Sequence, residues 1–255
     1  MTIFRNVVFV AALTGLLAGI VMAAMQTYAT VPLIKKAETF ENAGGGHDHA
    51  ATDPATGTEA AAPHSHDAGT PAHEHDGEAW APADGFERLA YTVLANIVTA
   101  IGFALVLVAV SEILGGIASW RQGIFWGFAG FAVFTLAPGL GLPPELPAMP
   151  AADLGGRQIW WTATVIATAV GLGLIAFRSG VVWSLVGVAL IVAPHIVGAP
   201  QPVSHDSPIP ADLHHQYVVA ATVTNLIFWV VLGGVAGAIR SRVARSAGSL
   251  RDSFA

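Results

Sequence analysis

The sequence predicts an all-α membrane protein, a polytopic bundle of about six transmembrane helices with a long disordered His-rich loop after the first. Five helices is the alternative count. Charged residues make up 11% of the 255 residues and hydrophobic residues 54%, whereas an average soluble domain is roughly 25% charged. Six runs of 20 or more residues also lack Asp, Glu, Lys and Arg. About 20 apolar residues suffice for a helix to cross a bilayer core of about 30 Å.

The uncharged runs place the helices in order along the chain. They cover residues 6–34, 89–111, 122–144, 158–177, 179–205 and 213–239. Without their Pro- and Gly-rich ends, they predict helices near 6–29, 89–111, 122–140, 158–177, 180–199 and 216–239. Only residues 178–180 join the fourth helix to the fifth, which predicts a tight helical hairpin. The fifth helix has the weakest pattern, because Pro194 lies within it.

The first run has an alternative interpretation as a cleaved signal peptide, since Arg5 precedes it and Ala23 and Ala24 are small. Its apolar part is longer than the usual stretch of about 7–15 residues, which favours a retained helix. The chain then divides into a first transmembrane helix (1–34), a His- and acid-rich loop (35–88), a five-helix bundle (89–240) and a basic tail (241–255).

The basic residues predict the orientation of the chain. Six spans place both termini on one side of the membrane, with seven basic residues: Arg5, Arg121, Arg178, Arg240, Arg242, Arg245 and Arg251. The other side carries only four: Lys35, Lys36, Arg88 and Arg157. The positive-inside rule therefore predicts that both termini lie in the cytoplasm and that the loop of residues 35–88 lies outside.

The loop of residues 35–88 differs in composition from the rest of the chain. It contains 13 Ala and 11 acidic residues but almost no Val, Ile or Leu. Such a segment cannot bury enough apolar area to offset the entropy lost on ordering, so we expect most of it to be disordered.

Glycine spacing predicts how the helices pack. Gly recurs four residues apart in three of the predicted spans, at Gly15/Gly19, Gly123/Gly127 and Gly233/Gly237. Small residues at this spacing let two membrane helices approach closely. We therefore expect each pair to lie at a crossing between helices.

The ten histidines are the main functional signal. Six of them form three His-x-His units in the first outer loop, each with an acidic residue inside or beside it: His47, His49, His64, His66, His73 and His75. Neutral imidazole is a good ligand for Co, Ni, Cu and Zn. The alternative is a polar spacer with solvated histidines, but three repeats of one pattern favour metal capture by the loop.

A second cluster of histidines and acidic residues lies in and beside the outer loop between the fifth and sixth spans. This predicted mouth site for a metal cation comprises His195, His205, Asp206, Asp212, His214 and His215. Pro202, Pro208 and Pro210 restrict the backbone of the same loop and stiffen it. Packing at the membrane interface is the alternative for His214 and His215. For His195, the alternative is a bond to a backbone carbonyl freed by Pro194.

Several absences narrow the class of function. Without Cys, any metal must be held by nitrogen or oxygen ligands. Neither Lys35 nor Lys36 belongs to a Walker A motif, and the net charge of −6 argues against nucleic acid as a partner. No carboxylate lies in the middle of a predicted span, which argues against proton- or sodium-coupled antiport. We expect no enzymatic activity and no tightly bound cofactor.

Four blocks of sequence resemble the CbtA family of proposed cobalt transporter subunits. The first covers residues 11–41 and includes Val31-Pro32-Leu33-Ile34. The others are LAPGLGLPPELP at 136–147, GRQIWW at 156–161 and APHIVGAP at 193–200. The resemblance extends over nearly all of the chain outside residues 43–85.

The resemblance implies a multi-pass subunit of the bacterial inner membrane that takes up cobalt, with nickel as the alternative cargo. It also implies a companion, CbtB, which is a very short protein with one span and a His-rich terminus. Membrane lipids are the other expected partners. Association with further copies of the chain, as a homo-oligomer, is left as an alternative. The rival function is a membrane-anchored periplasmic protein that stores or senses metal without transporting it. A third class, a membrane metalloenzyme, would need a carboxylate that orients His195 or His214.

Overall fold

The computed structural model describes residues 2–44, 82–83 and 85–253. The three His-x-His units, and with them most of the loop predicted to be disordered, lie outside these ranges. Within them the chain forms eight α-helices and one π-helical segment. In chain order these are α1 (Thr2–Ala29), α2 (Val31–Gly44), α3 (Phe86–Ile113), α4 (Trp120–Phe131), the π segment (Ala132–Leu136), α5 (Ala137–Gly141), α6 (Leu154–Phe177), α7 (Val181–Val197) and α8 (Ala211–Ser253).

Five helical segments are long and apolar enough to cross a membrane. They are Phe4–Ala29, Phe86–Ile113, Trp120–Gly141, Leu154–Phe177 and Ala211–Arg245. The predicted all-α, polytopic membrane fold is therefore confirmed. The fifth predicted span, 180–199, is the exception among the six, because α7 is an apolar helix of only 17 residues.

Helix α1 packs antiparallel to α3, and α4 packs antiparallel to α8, and the bundle has two distinct ends. At one end, here called the terminal end, Asn6 of α1, Glu112 of α3 and Arg240 of α8 surround a small cavity. At the opposite end, here called the loop end, Ala37 of α2 packs with Leu213 of α8. The beginning of α1 and the later part of α8 thus lie together, which is the relation that an even number of crossings produces.

Residues 35–44 are helical, although their composition predicts that they begin the disordered loop. They belong to α2, in which Ile34, Ala37 and Phe40 recur at helical spacing. Ala37 is fully buried, and this face packs against Leu146 and Leu213 at the loop end. The average composition of the whole loop conceals this short apolar face.

The three predicted glycine pairs all lie at helix crossings. A Cβ atom on Gly15 would come within 2.4 Å of the α3 backbone. A Cβ atom on Gly123 or Gly127 would lie 2.1 or 2.2 Å from a carbonyl oxygen of α8, and Gly233 meets α4 in the same way. These distances are far below a carbon contact of about 3.5 Å, so only glycine permits the observed approach of the helices.

An aromatic cluster occupies the centre of the main core. Phe134 of the π segment stacks on Trp229 of α8, with ring centroids 5.6 Å apart. Phe103 of α3 lies 5.0 Å from the same indole. The Trp229 Nε1–H donates to the Thr135 hydroxyl at 3.2 Å. These contacts join α3, α8 and the π segment into one rigid centre.

The helices α6 and α7 form the predicted tight hairpin. Gly171 and Gly187 face each other, and a Cβ atom on either would lie 2.5–2.6 Å from the carbonyl oxygen of the other. Near the loop end, the buried Trp160 donates its indole N–H to the Pro194 carbonyl at 3.0 Å. This glycine pair could not be predicted from the sequence, because its two members belong to different helices and share no local spacing.

Candidate functional site

A cavity of about 970 Å³ lies between the π segment, α5, α6 and α8. It extends from Pro144 and Leu154 at the loop end to Phe134 and Asn225 near the middle of the bundle. A metal ion with six waters, at about 30 Å³ per water, occupies roughly 180 Å³. The cavity therefore accommodates a hydrated ion with room to spare, and it is the principal candidate site among the described residues.

The π segment shapes the wall of this cavity. Phe134, Thr135 and Leu136 all line it. In a regular α-helix the ring of Pro138 would clash with the carbonyl group four residues earlier. Here the chain makes a wider turn, in which the Ala137 N–H donates to the Ala132 carbonyl five residues back. Such π turns often occur at functional sites, and nothing in the hydropathy pattern signalled this one.

Glu145 and Arg157 form an ion pair in the lining of the cavity. Their nearest side-chain atoms, Arg157 Nη2 and Glu145 Oε2, are 3.0 Å apart. Both side chains are partly buried, with exposed fractions of 27% for Glu145 and 30% for Arg157. The pair places one carboxylate and one guanidinium in the wall of an otherwise largely apolar space.

The two partners are held by different local structures. Glu145 precedes Leu146, whose side chain is 3% exposed and packs in the core at the loop end. Arg157 lies in the first turn of α6, which Asp153 caps by accepting the Gly156 N–H at 2.7 Å. The backbone on both sides is thus held in place, and the carboxylate and the guanidinium face each other.

Neutral polar side chains complete the lining. They are Thr135, Gln158, Thr162, Thr222 and Asn225. The Asn225 side-chain N–H donates to the Ala221 carbonyl of the same helix at 2.8 Å. The amide nitrogen is therefore already hydrogen-bonded within α8. Amide and hydroxyl oxygens can replace part of the hydration shell of a cation, so the cavity offers oxygen ligands in addition to Glu145.

Among the predicted mouth residues, His214 has the most informative position. Its Nε2 lies 3.1 Å from the carbonyl oxygen of Pro144, which lines the cavity. Because a carbonyl oxygen only accepts, Nε2 must carry the proton, and in the neutral ring Nδ1 then keeps its lone pair. Histidines that bind metals usually donate their other N–H to a carbonyl or carboxylate in this way.

The other predicted mouth residues are more dispersed. His195 packs edge-on against Trp160, with ring centroids 5.7 Å apart. Four are exposed: His205, Asp206, Asp212 and His215. Within residues 2–44 and 85–253, no three His, Asp or Glu side chains form a group that could hold a metal ion. The mouth site and the metal-capturing loop therefore stay predictions.

Sequence reasoning missed a second ion pair, at the terminal end. The Arg240 Nε donates to the Glu112 carboxylate, and its Nη2 donates to the same group at 3.0 Å. Its Nη1 donates to the Ile117 carbonyl at 2.7 Å. The available signal was a single acidic residue at the end of the second span and an arginine at the end of the last. Through these bonds Arg240 ties α8 to α3 and to the turn that precedes α4.

The comparisons with known proteins identify the family. The sequence model of CbtA, described as a probable cobalt transporter subunit, matches residues 4–241. No curated protein matches the chain, and no solved structure does either. Because this match covers nearly the whole chain, the protein belongs to the CbtA family of probable cobalt transporter subunits.

Proposed function

We propose that this protein is the inner-membrane subunit through which a divalent transition-metal cation, cobalt, is taken up, with nickel as the alternative cargo. One observation carries the proposal: a cavity of about 970 Å³ enters a membrane-spanning bundle and is lined by a carboxylate and neutral oxygen groups. His214 lies at its rim and has the hydrogen bond expected of a metal-binding histidine. The loop end would then be the periplasmic end.

Electrical driving force is sufficient for uptake without ATP. An inside-negative potential contributes about 2.3 kcal/mol per charge per 100 mV, or about 4.6 kcal/mol for a divalent cation. This energy corresponds to roughly three decades of accumulation at equilibrium. A trace nutrient needs no larger gradient, so the protein would act as an electrically driven conduit.

The predicted histidines would act in succession. The His-x-His units of residues 45–81 would concentrate the ion at modest affinity, and the mouth residues would pass it to the cavity. His214 would be the last of them, because its partner Pro144 is part of the cavity wall. A family of transporter subunits implies a partner in a complex, for which we propose a single-span His-rich protein of the CbtB type.

Flux into liposomes tests this function. With a potassium diffusion potential, negative inside, the wild type should accumulate Co²⁺ at pH 7. The combined variant His195→Ala, His214→Ala and His215→Ala should lose about 10-fold or more of the flux at scarce Co²⁺. Loss of only the groups that orient metal ligands already lowers metal affinity by about 10–100-fold. Gln216→Ala, an exposed neighbour on α8, is the matched control and should behave like the wild type.

The pH dependence separates imidazole binding from simple acidic attraction. Histidines in model peptides titrate near pH 6.5, and an imidazole must be deprotonated to bind a metal. Flux at scarce Co²⁺ should therefore fall steeply between about pH 7 and pH 5.5, a range in which model carboxylates stay ionised.

Bound Co²⁺ without any flux would instead identify a storage or sensor protein. Flux that is unchanged in the triple variant would assign the histidines to packing.

A further inference from the structure

We propose that Glu145 is the group that binds the cation inside the cavity, and that Arg157 is its resident counter-ion, which an incoming divalent cation displaces. The inference rests on the proposed function, because it takes the cavity as the path of the metal. It assigns a second binding station, in the cavity wall next to the predicted histidines of the loop end. Its starting point is the ion pair, 3.0 Å between nearest atoms, in the wall of the cavity.

The charges of the lining support exchange of one cation for another. Glu145 and Arg157 are the two charged residues among those that line the cavity in the described chain, so the charges of the lining sum to zero. At equal distance a divalent ion attracts a carboxylate twice as strongly as a guanidinium does. A divalent cation can therefore displace Arg157, whereas a monovalent cation gains no such advantage.

The structure also gives Arg157 freedom to leave. The arginine side chain is 30% exposed, and the cavity beside it is several times larger than a hydrated ion. Glu145, in contrast, is fixed by the buried Leu146 that follows it. Displacement would therefore move the long Arg157 side chain into the cavity and leave the Glu145 carboxylate in place.

The neighbouring groups are suited to receive the ion from the rim. Pro144, which accepts the hydrogen bond from His214, directly precedes Glu145 in the chain. Gln158, the residue after Arg157, and Asn225 of α8 also line the cavity. An ion that leaves the imidazole therefore meets a carboxylate carried by the same short segment, with amide groups close by.

Equilibrium binding of CoCl₂ in a non-chelating buffer, measured by calorimetry on the detergent-solubilised full chain, tests the exchange. Arg157→Gln removes the competitor and should tighten Co²⁺ binding about 3- to 10-fold, whereas Glu145→Gln should weaken it about 10-fold. The double variant should resemble Glu145→Gln. Glu38→Gln, which breaks a Glu–Arg pair with Arg88 elsewhere at the loop end, is the matched control and should leave binding unchanged.

The test is decisive because the two single variants are expected to change Co²⁺ affinity in opposite directions. Both single variants break the same ion pair, so a merely structural pair would lower the melting temperature in both and shift affinity in the same direction, or not at all. Unchanged or weaker binding in Arg157→Gln overturns the proposal, even if Glu145→Gln fails to fold. Because binding is measured without a membrane, normal affinities combined with absent flux would reject the transport function alone.

Discussion

Ala148 lies in a backbone conformation that residues with a side chain rarely adopt. Its φ angle is 63°, in a turn closed by the bond from the Met149 N–H to the Leu146 carbonyl at 3.2 Å. This left-handed region costs a residue other than glycine about 1–2 kcal/mol. The strain persists because buried neighbours such as Leu146 fix the turn, and the same turn positions Glu145.

Ala148→Gly should therefore stabilise the protein. Removing the side chain relieves about 1–2 kcal/mol of strain, while the extra freedom of glycine in the unfolded chain costs about 0.5–1 kcal/mol. We expect a net gain of about 0.5–1 kcal/mol and a higher melting temperature in detergent. Ala151→Gly, at an exposed position without a positive φ angle, is the control and should lower the melting temperature. A loss of similar size in both variants would contradict the strain.

For single residues, the sequence identified candidate ligands but not their partners. His214 stood out because histidines cluster in one outer loop, yet its partner Pro144 is 70 residues away. Glu145 and Arg157 lie in two blocks that resemble the family, and no helical spacing connects them. Their pairing depends on the turn around Ala148 and on the cap by Asp153, and neither can be derived from hydropathy or charge.

At the scale of elements, close helix crossings hold the bundle together. The sequence predicted three of them correctly, because glycines four residues apart on one helix form a local pattern. It failed at α2, whose apolar face is diluted by the acidic loop, and at the π segment, which reflects the steric demand of Pro138. Its fifth span is shorter than predicted, since α7 ends at Val197, just before Gly198 with a positive φ of 85°.

Gly233→Ala should separate α4 from α8. The added Cβ would lie 2.2 Å from the Gly123 carbonyl oxygen and 2.8 Å from the Gly127 Cα, and neither backbone atom can yield without shifting a helix. Overpacking of this kind typically costs about 1–3 kcal/mol, so the melting temperature in detergent should fall.

Gly102→Ala is the matched control for this crossing. A Cβ atom there would meet nothing within 4 Å, and alanine favours a helix by about 1 kcal/mol over glycine. Its melting temperature should therefore stay the same or rise. Equal losses in the two variants would mean that the α4–α8 contact is not limiting for stability.

At the scale of the whole molecule, the bundle has chemically different ends. The terminal end is closed by the bonds of Arg240 to Glu112 and Ile117, whereas the loop end carries the cavity and the predicted histidines. The start of α1 and the later part of α8 lie at the same end of the bundle, as the prediction that both termini face one side of the membrane requires. Which side this is depends on the count of seven basic residues against four.

Reporter fusions in bacterial cells test the orientation. Alkaline phosphatase, which is active only outside the cytoplasm, should be active when fused after residue 60 and inactive when fused after residue 255. A fluorescent protein that folds only in the cytoplasm should give the reverse pattern. If both positions report the same compartment, an even number of spans separates residues 60 and 255, and the predicted topology is wrong.

The shortness of α7 has a consequence for the surrounding lipid. Its 17 residues span about 25 Å at 1.5 Å each, several ångströms less than a hydrocarbon core of about 30 Å. Much of its surface is exposed apolar side chain, including Val181, Leu185 and Ile196, which acyl chains would cover. Such hydrophobic mismatch is relieved when the bilayer thins locally. The thinned annulus would border α6, whose other side lines the cavity, and would shorten the barrier that a crossing ion meets.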